Sequence, residues 1–232
     1  MKIAIMQPYF LPYIGYFQLI AAVDLFIVYD NIKYTKKGWI NRNRLLQNAS
    51  DAIFSVPLQK DADTLPIDQR VIAKDFDPAV LLNRFSGAYR RAPYFASTYA
   101  LLERIMHCDN LNLFHFLHHA IKTTCAHLQI STTIQRSSTI DADHGLKGQD
   151  RVIAMCLAAG ASVYINAIGG VELYSREHFA NAGLDLKFLA SKPLVYRQFD
   201  ESFVPWLSII DVMMFNAPEL VQRAISTNFD LV

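Results

Sequence analysis

Residues 7–17 read Gln7-Pro8-Tyr9-Phe10-Leu11-Pro12-Tyr13-Ile14-Gly15-Tyr16-Phe17 and form a turn with two prolines. The apolar run 2–6 before it is of strand type, and the prolines forbid a regular helix or a continued central strand through the turn. After Pro12 we predict a helix of about ten residues and then a buried strand over 25–29. These elements make a βαβ unit of ~30 residues. The turn should therefore lie at the carboxyl edge of a parallel sheet, where open α/β sheets bind ligands.

The rest of the chain continues this pattern. We predict strands over 52–58, 131–135, 162–166 and 184–189, helices over 150–159 and 174–182, and a helical block over 71–128. Ser208 should cap a further helix, with Asp211 as its third residue in the manner of a capping box. The predicted fold is α/β, with a Rossmann-like parallel sheet of the nucleotidyltransferase/HUP type. It forms a single domain over 1–232, with a helical insertion at 71–128 and a C-terminal helix.

Composition excludes several classes of protein. The 232 residues are 52% hydrophobic and carry a net charge of +1, which suits one globular domain and argues against a dedicated DNA-binding protein. Three widely spaced cysteines without a Cys-x-x-Cys pair predict a reducing compartment, and so a cytoplasmic protein. No apolar stretch reaches ~18 residues, so no membrane span is expected.

The first turn has features of a binding site. Gly15 should open the helix, where backbone amides without intrahelical partners favour an anion. Tyr13 and Tyr16 flank this glycine at the position where class I nucleotidyltransferases carry a His-x-Gly-His signature. Tyrosines can stack on a base or donate hydrogen bonds, but they lack the imidazolium charge. The alternative is that these aromatic residues only pack the helix onto the sheet.

Residues 30–44 are the second candidate for a binding segment. They follow the second strand and contain five cations interleaved with Tyr34 and Trp39. Arginine forks beside aromatic rings fit a nucleotide, a nucleotide sugar or an RNA end. In an extended strand Asn41 and Asn43 would share one face, with Arg42 and Arg44 on the other. The alternative is a solvated basic hairpin anchored by Trp39.

Further along the chain the signals are weaker. Ser137 and Ser138 follow a predicted strand, and Lys147 precedes a predicted helix; both places suit an oxyanion or a phosphate. Three histidines lie within one helical stretch, at His115, His118 and His119. Apolar residues crowd the same turn, and no glutamate stands between them as a zincin would require. We therefore predict no metal site.

These motifs together resemble the WbqC-like family, which is found among genes for bacterial surface polysaccharides. The matching segments are 7–17, Tyr29-Asp30 with 39–44, Lys147-Gly148 with Arg151, Gly160-Ala161 with Tyr164, and 207–211 with Phe215-Asn216. The family often has a histidine at the position of Tyr9. The resemblance implies a role in O-antigen (lipopolysaccharide) or related glycan biosynthesis.

The leading hypothesis is a transferase that moves an acyl or aminoacyl group onto a nucleotide-linked amino sugar. Its site would form where the first turn and the Trp39–Arg44 segment converge. Trp39, Arg42 and Arg44 would hold the phosphates and base, while Gln7, Tyr9, Tyr13 and Asp30 would line the reacting centre, with Asp30 as proton acceptor.

Two alternatives stay open. One is an ATP-dependent adenylate-forming ligase or nucleotidyltransferase that uses ATP and magnesium, with Gly15 and Lys147 on the triphosphate. The other is a non-catalytic partner of a glycan enzyme. The sequence indicates no definite cofactor, with ATP and magnesium as the candidates, and it leaves the oligomeric state open.

Overall fold

A computed structural model describes residues 1–200 and 202–232. The strands are β1 (Lys2–Met6), β2 (Leu25–Val28), β3 (Arg42–Gln47), β4 (Ser50–Ser55), β5 (Thr133–Arg136), β6 (Val163–Ala167), β7 (Asp185–Ser191) and β8 (Phe229–Leu231). The helices are α1 (Ile14–Ala21), α2 (Pro78–Tyr89), α3 (Phe95–Met106), α4 (Leu113–His127), α5 (Gly148–Ala158), α6 (Arg176–Asn181), α7 (Ile209–Phe215) and α8 (Pro218–Thr227).

The central sheet has six strands in the order β5-β2-β1-β6-β7-β8. The first five are mutually parallel, and β8 runs antiparallel to β7. From β1 the chain builds outward through β2 to β5, then returns to the other side of β1 with β6 and β7. The strand order therefore reverses between β1 and β6, and such a switch point opens a crevice at the carboxyl edge. The predicted α/β class, with a mostly parallel sheet, is confirmed.

Helices cover both faces of the sheet. Along β1 the side chains alternate, so Ala4 joins one apolar cluster while Ile3 and Ile5 join another. The larger cluster also contains side chains from α1, α2, α3, α4, α7 and α8. The smaller cluster includes side chains from α5 and α6. None of the helices within the described residues is long and apolar enough to cross a bilayer.

Strands β3 and β4 form a separate antiparallel hairpin. The strand predicted over 52–58 exists as β4, but it pairs locally with β3. Asn48 and Ala49 connect the two strands, with φ angles of 52° and 57°. Two successive residues with positive φ are typical of a tight hairpin turn, which explains this local pairing. Two elements were not predicted: the second C-terminal helix, α8, and β8, which is the sixth strand of the central sheet.

Helix α7 begins after Ser208 as predicted, but Asp211 does not complete the expected capping box. The Ser208 Oγ accepts a hydrogen bond from the Ile210 amide at 3.3 Å, so Ser208 is the N-cap. The Ser208 amide donates to the Arg44 carbonyl rather than to the Asp211 carboxylate. The expected capping box is therefore only half present.

Candidate functional site

The first turn, the segment before β3 and the start of α7 are joined by backbone hydrogen bonds. The Phe10 amide donates to the Trp39 carbonyl at 3.2 Å, and the Ser208 amide donates to the Arg44 carbonyl at 3.0 Å. The Asn43 side-chain amide donates to the Phe10 carbonyl at 3.1 Å. Since these partners are far apart in sequence, the bonds hold three distant segments together at the carboxyl end of β1.

A cleft of about 310 Å³ lies at this junction. Its lining residues come from the first turn, the Trp39–Arg44 segment, the ends of β6 and β7, and the segment before α7: Tyr9, Pro12, Tyr13, Trp39, Asn43, Arg44, Ile168, Ser191 and Trp206. Ile168 directly follows β6, and Ser191 ends β7. The two segments predicted to converge thus share one cleft at the switch point of the sheet.

Two tryptophans and one arginine dominate the cleft. Trp39 and Trp206 are 40% and 47% exposed, which is unusual for so large an apolar side chain. The Arg44 guanidinium lies over the Trp39 ring and donates to the Trp206 carbonyl at 3.0 Å and to Asp51 at 3.1 Å. The cleft therefore combines indole surfaces for stacking with a cation for an anionic group.

Tyr9 and Tyr13 line the same cleft. Burial raises the pKa of Tyr9, and the nearby Tyr13 raises it further. Burial also raises the pKa of Tyr13, against a smaller opposing effect of the Ser191 hydroxyl. Both phenols therefore stay neutral at physiological pH. They can donate hydrogen bonds to a ligand, but they are poor proton acceptors.

Two bulky residues of this region have left-handed backbone conformations. Leu11 has a φ of 45° and Trp206 a φ of 56°. This region is costly for residues other than glycine, and such strain tends to occur at functional sites. The Ser208 hydroxyl donates to the Leu11 carbonyl at 2.6 Å, which helps to hold the first turn in this conformation.

The conformation of the first turn is stabilised by contacts that involve Gly15, Tyr16 and Gln7. Tyr16 is 2% exposed, and its hydroxyl donates to the Gln7 carbonyl at 2.9 Å. A Cβ atom on Gly15 would overlap the Tyr13 ring and the Ser191 Oγ. Glycine is required here because the Tyr13 ring and the Ser191 Oγ, which both belong to the cleft wall, lie against its backbone.

Asp30 lies in a separate polar cluster with Ser137 and Ser138. Its carboxylate accepts hydrogen bonds from the Ser137 Oγ at 2.7 Å, the Ser138 amide at 2.9 Å and the Ser138 Oγ. Burial alone would raise the pKa of Asp30, but these hydrogen bonds outweigh it and lower the pKa. Asp30 is not among the described residues that line the cleft. The cluster joins the carboxyl ends of β2 and β5.

Lys147 borders another cavity, of about 370 Å³, together with Tyr29, Arg151 and Tyr174. Arg151 donates to the Asn31 side chain at 2.5 Å and lies 5.4 Å from the centroid of the Tyr29 ring. Lys147 is therefore in a different cavity from Tyr9 and Tyr13.

Arg42, Tyr34 and Asn41 hold the polypeptide around the cleft. The Arg42 Nε donates to the Gly38 carbonyl at 2.9 Å, and its terminal nitrogen donates to the Lys37 carbonyl. The Tyr34 hydroxyl donates to the Asn41 Oδ1 at 2.8 Å. Arg42 is thus bound to the loop before β3, whereas Arg44 reaches into the cleft.

Comparison with known proteins identifies the family to which the chain belongs. The model of the WbqC-like protein family matches residues 7–223, which include every residue of the cleft. The chain belongs to the WbqC-like family. It is 30% identical to the uncharacterized protein Rv1507c of Mycobacterium tuberculosis (strain ATCC 25618 / H37Rv), over 224 residues and 93% of each chain. No solved structure matches this WbqC-like protein significantly.

The histidines of the WbqC-like protein have ordinary contacts. His118 stacks on Phe114 with ring centroids 5.5 Å apart, and burial lowers its pKa to about 4. His119 bonds to the Arg104 carbonyl at 3.2 Å. Across residues 1–200 and 202–232, no group of three or more histidines, cysteines and carboxylates is placed to hold a metal ion.

Sequence reasoning missed part of the cleft. Trp206, Ser191 and Ile168 come from late segments of the chain, and none of the three was predicted as a site residue. One signal was available, because the WbqC-like chain contains only two tryptophans and both line the cleft. Two exposed indoles that face one cleft form a contiguous apolar surface, and such a surface often marks a ligand-binding groove.

Proposed function

We propose that the cleft binds a nucleotide-linked amino sugar, and that the protein transfers an acyl or aminoacyl group to the amine of that sugar. The observation that carries this proposal is the placement of Trp39, Trp206 and Arg44 around one cleft at the switch point of the sheet. The family's setting in surface-polysaccharide biosynthesis supports a glycan substrate.

Different side chains of the cleft contact different parts of the proposed substrate. An indole face can stack on the base or the apolar face of a sugar ring, while the Arg44 guanidinium binds a phosphate. The neutral hydroxyls of Tyr9 and Tyr13 donate hydrogen bonds to the reacting carbonyl, which stabilises the negative charge that develops there. Gln7, Gly15 and Tyr16 hold this turn in place, and Arg42, Tyr34 and Asn41 hold the loop opposite.

The transfer uses an activated acyl donor, which we take to be a thioester. The amine nitrogen forms a bond to the carbonyl carbon, the carbon–sulfur bond breaks, and the amine's proton leaves with the thiolate as a thiol. This route needs no carboxylate base. We prefer it because the oxygens of Asp30, the predicted base, already accept hydrogen bonds from Ser137 and Ser138.

We also propose a Rossmann-like assignment for the sheet and a single domain over 1–232. The five parallel strands, in the order β5-β2-β1-β6-β7, correspond to strands 3-2-1-4-5 of dinucleotide-binding sheets, and only the antiparallel β8 departs from that pattern. The larger apolar cluster joins the helices of the 71–128 block to α1 and to the sheet. The cytoplasmic compartment remains a prediction from the cysteine spacing.

The geometry favours the transferase over the adenylate-forming ligase. The ligase requires Gly15 and Lys147 to hold one triphosphate, but Gly15 is covered by Tyr13 and Ser191, and Lys147 borders another cavity. The third hypothesis, a non-catalytic partner of a glycan enzyme, predicts that no nucleotide binds.

A thermal-shift screen against nucleotides and nucleotide sugars tests the proposal. A ligand at a hundredfold excess over its Kd stabilises the folded protein by about 2.7 kcal/mol. We expect the largest shift from a nucleotide sugar with a free amine, and amide formation when a thioester is added. Pyrophosphate release from ATP would favour the ligase. If no nucleotide or nucleotide sugar shifts the melting temperature, the transferase proposal is wrong.

A further inference from the structure

A second cavity, of about 160 Å³, lies directly beside the cleft. Tyr13 and Trp206 line both cavities, and their rings meet edge to face with centroids 6.2 Å apart. The two rings therefore form a shared wall. A substrate whose parts differ in polarity can place one part on each side of this wall.

The walls of the second cavity are mostly apolar, and include Ile14, Leu194, Val195, Phe203, Pro205 and Leu207. Apart from the two rings of the shared wall, the polar side chains of this cavity are those of Tyr196 and Lys192, and both are engaged elsewhere. The Tyr196 hydroxyl donates to Asp211 at 2.6 Å, and the Lys192 Nζ pairs with Asp230 at 2.6 Å. A polar group buried here would lose its hydrogen bonds to water without replacement, so an apolar occupant is favoured.

The volume limits the size of the occupant. Each water-sized group takes about 30 Å³, so the cavity holds roughly five such groups. A chain of about four or five carbons fills it, and the carbons of a longer chain extend beyond its walls.

We propose that this cavity binds the short aliphatic acyl chain of the donor. The assignment rests on the proposed transferase function, which requires an acyl donor next to the amino sugar. With the chain in the second cavity, the donor carbonyl lies at the wall formed by Tyr13 and Trp206, beside the cleft that holds the amine. The Tyr13 hydroxyl is then available to that carbonyl.

A series of acyl thioesters of N-acetylcysteamine, with acyl chains of increasing length, tests the assignment by calorimetric titration of the full chain. Each methylene that enters the cavity should raise the affinity by about fourfold. The gain should stop at about five carbons, where the cavity is full. An affinity that does not depend on chain length, or that rises steadily to long chains, overturns the proposal.

Two exposed valines provide a matched pair of variants. Val195, at the cavity, is 72% exposed, and Val80, on α2, is 67% exposed. Val195→Asp should lower the affinity for the best thioester by about tenfold, because its carboxylate loses water when the chain binds. Val80→Asp should leave that affinity unchanged. Leu194→Trp, which fills the cavity, should abolish the dependence on chain length. Equal losses in both aspartate variants, or a normal dependence in Leu194→Trp, overturn the proposal.

Nucleotide-sugar binding, measured on the same preparations, separates this inference from the proposed function. If a nucleotide sugar binds but the affinity for the thioesters does not depend on chain length, the acyl-chain assignment is wrong and the sugar assignment of the cleft is unaffected. If the thioesters show the expected dependence and no nucleotide sugar binds, the acyl-chain cavity is supported and the sugar assignment of the cleft falls.

Discussion

The guanidinium carbon of Arg44 lies 5.6 Å from the centroid of the Trp39 ring. The same guanidinium donates to the Trp206 carbonyl, so it links the two exposed tryptophans across the cleft. At partly exposed sites a cation–π contact contributes about 0.5–1 kcal/mol. Arg44 therefore stabilises the cleft modestly and presents a positive charge to its contents.

The first prediction concerns the replacement of an arginine by alanine. Arg44→Ala should weaken nucleotide-sugar binding by tenfold or more, because a charge-assisted hydrogen bond contributes about 1.5–3 kcal/mol. Arg223→Ala is the matched control and should leave the affinity unchanged, since Arg223 is exposed on α8 and is not among the described residues that line the cleft. Calorimetric titration compares the two. Equal losses would show that the position of Arg44 in the cleft does not matter.

The backbone at Trp206 provides the second prediction. With its φ of 56°, this position suits glycine better than any L-residue. Trp206→Gly should therefore be more stable than Trp206→Ala by about 1 kcal/mol, whereas glycine is normally the less stable of the two. Both variants should lose ligand affinity because both lack the indole. Urea denaturation measures the stability difference, and a more stable alanine variant would exclude backbone strain at this position.

The sequence predicted the part of this site that is formed by the first turn and the Trp39–Arg44 segment. Two prolines end β1 at the first turn, and the Trp39–Arg44 segment follows the next strand, so both could be placed at one edge of the sheet. Trp206 and Ser191 come from segments much later in the chain, and their approach depends on packing that has no local signal. Asp30 was recognisable as a carboxylate after a strand, but nothing local revealed that Ser137 and Ser138 engage its oxygens.

The Asp30 cluster provides a prediction about pH. Its hydrogen bonds lower the pKa of the folded carboxyl below the ordinary 3.8, so the stability they contribute is present above that value. It is lost as the pH falls through the folded pKa. Ser138→Ala should cost on the order of 1 kcal/mol at pH 7, with a smaller difference from the unmodified protein below pH ~3.8.

Urea denaturation at pH 7 and at pH 3 measures this effect. Ser226→Ala is the matched control, because the Ser226 hydroxyl is exposed and donates only to backbone carbonyls. It should change stability by a few tenths of a kcal/mol at most, and equally at both pH values. A Ser138→Ala difference that does not shrink in acid would contradict the role assigned to Asp30.

Asp211 provides the fourth prediction. It is fully buried and accepts hydrogen bonds from Tyr89 at 3.0 Å, Tyr196 at 2.6 Å and Gln198 at 2.7 Å. Asp211→Ala leaves three donors without this acceptor, those of Tyr89 and Gln198 in fully buried bonds, and should destabilise the fold by about 3 kcal/mol or more. Asp211→Asn keeps an acceptor and should cost less.

The same carboxyl has a raised pKa because of burial, so the folded state holds its proton more tightly than the unfolded state. Relative to Asp211→Asn, the stability of the unmodified protein should therefore decrease as the pH rises from 3.8 through the folded pKa. Denaturation curves across this range measure the difference. An increase over the same range would show that the folded carboxyl is ionised more easily than assigned.

Gly15 provides the last prediction, because its replacement acts on the cleft through packing alone. In Gly15→Ala the added Cβ overlaps the Tyr13 ring and the Ser191 Oγ, so one of these two wall residues must move. Overpacking of this kind costs about 1–3 kcal/mol. Because both neighbours line the cleft, the variant should lose ligand affinity as well as stability.

Gly87→Ala is the matched control, since an added Cβ at this exposed position of α2 meets nothing within 4 Å. It should stabilise the protein by about 0.5–1 kcal/mol through helix propensity and leave binding unchanged. Urea denaturation and calorimetric titration of the two variants separate the effects. If Gly15→Ala were destabilised but bound ligand normally, Tyr13 and Ser191 would support the fold without contacting the ligand. If its stability were unchanged, the close packing around Gly15 would itself be wrong.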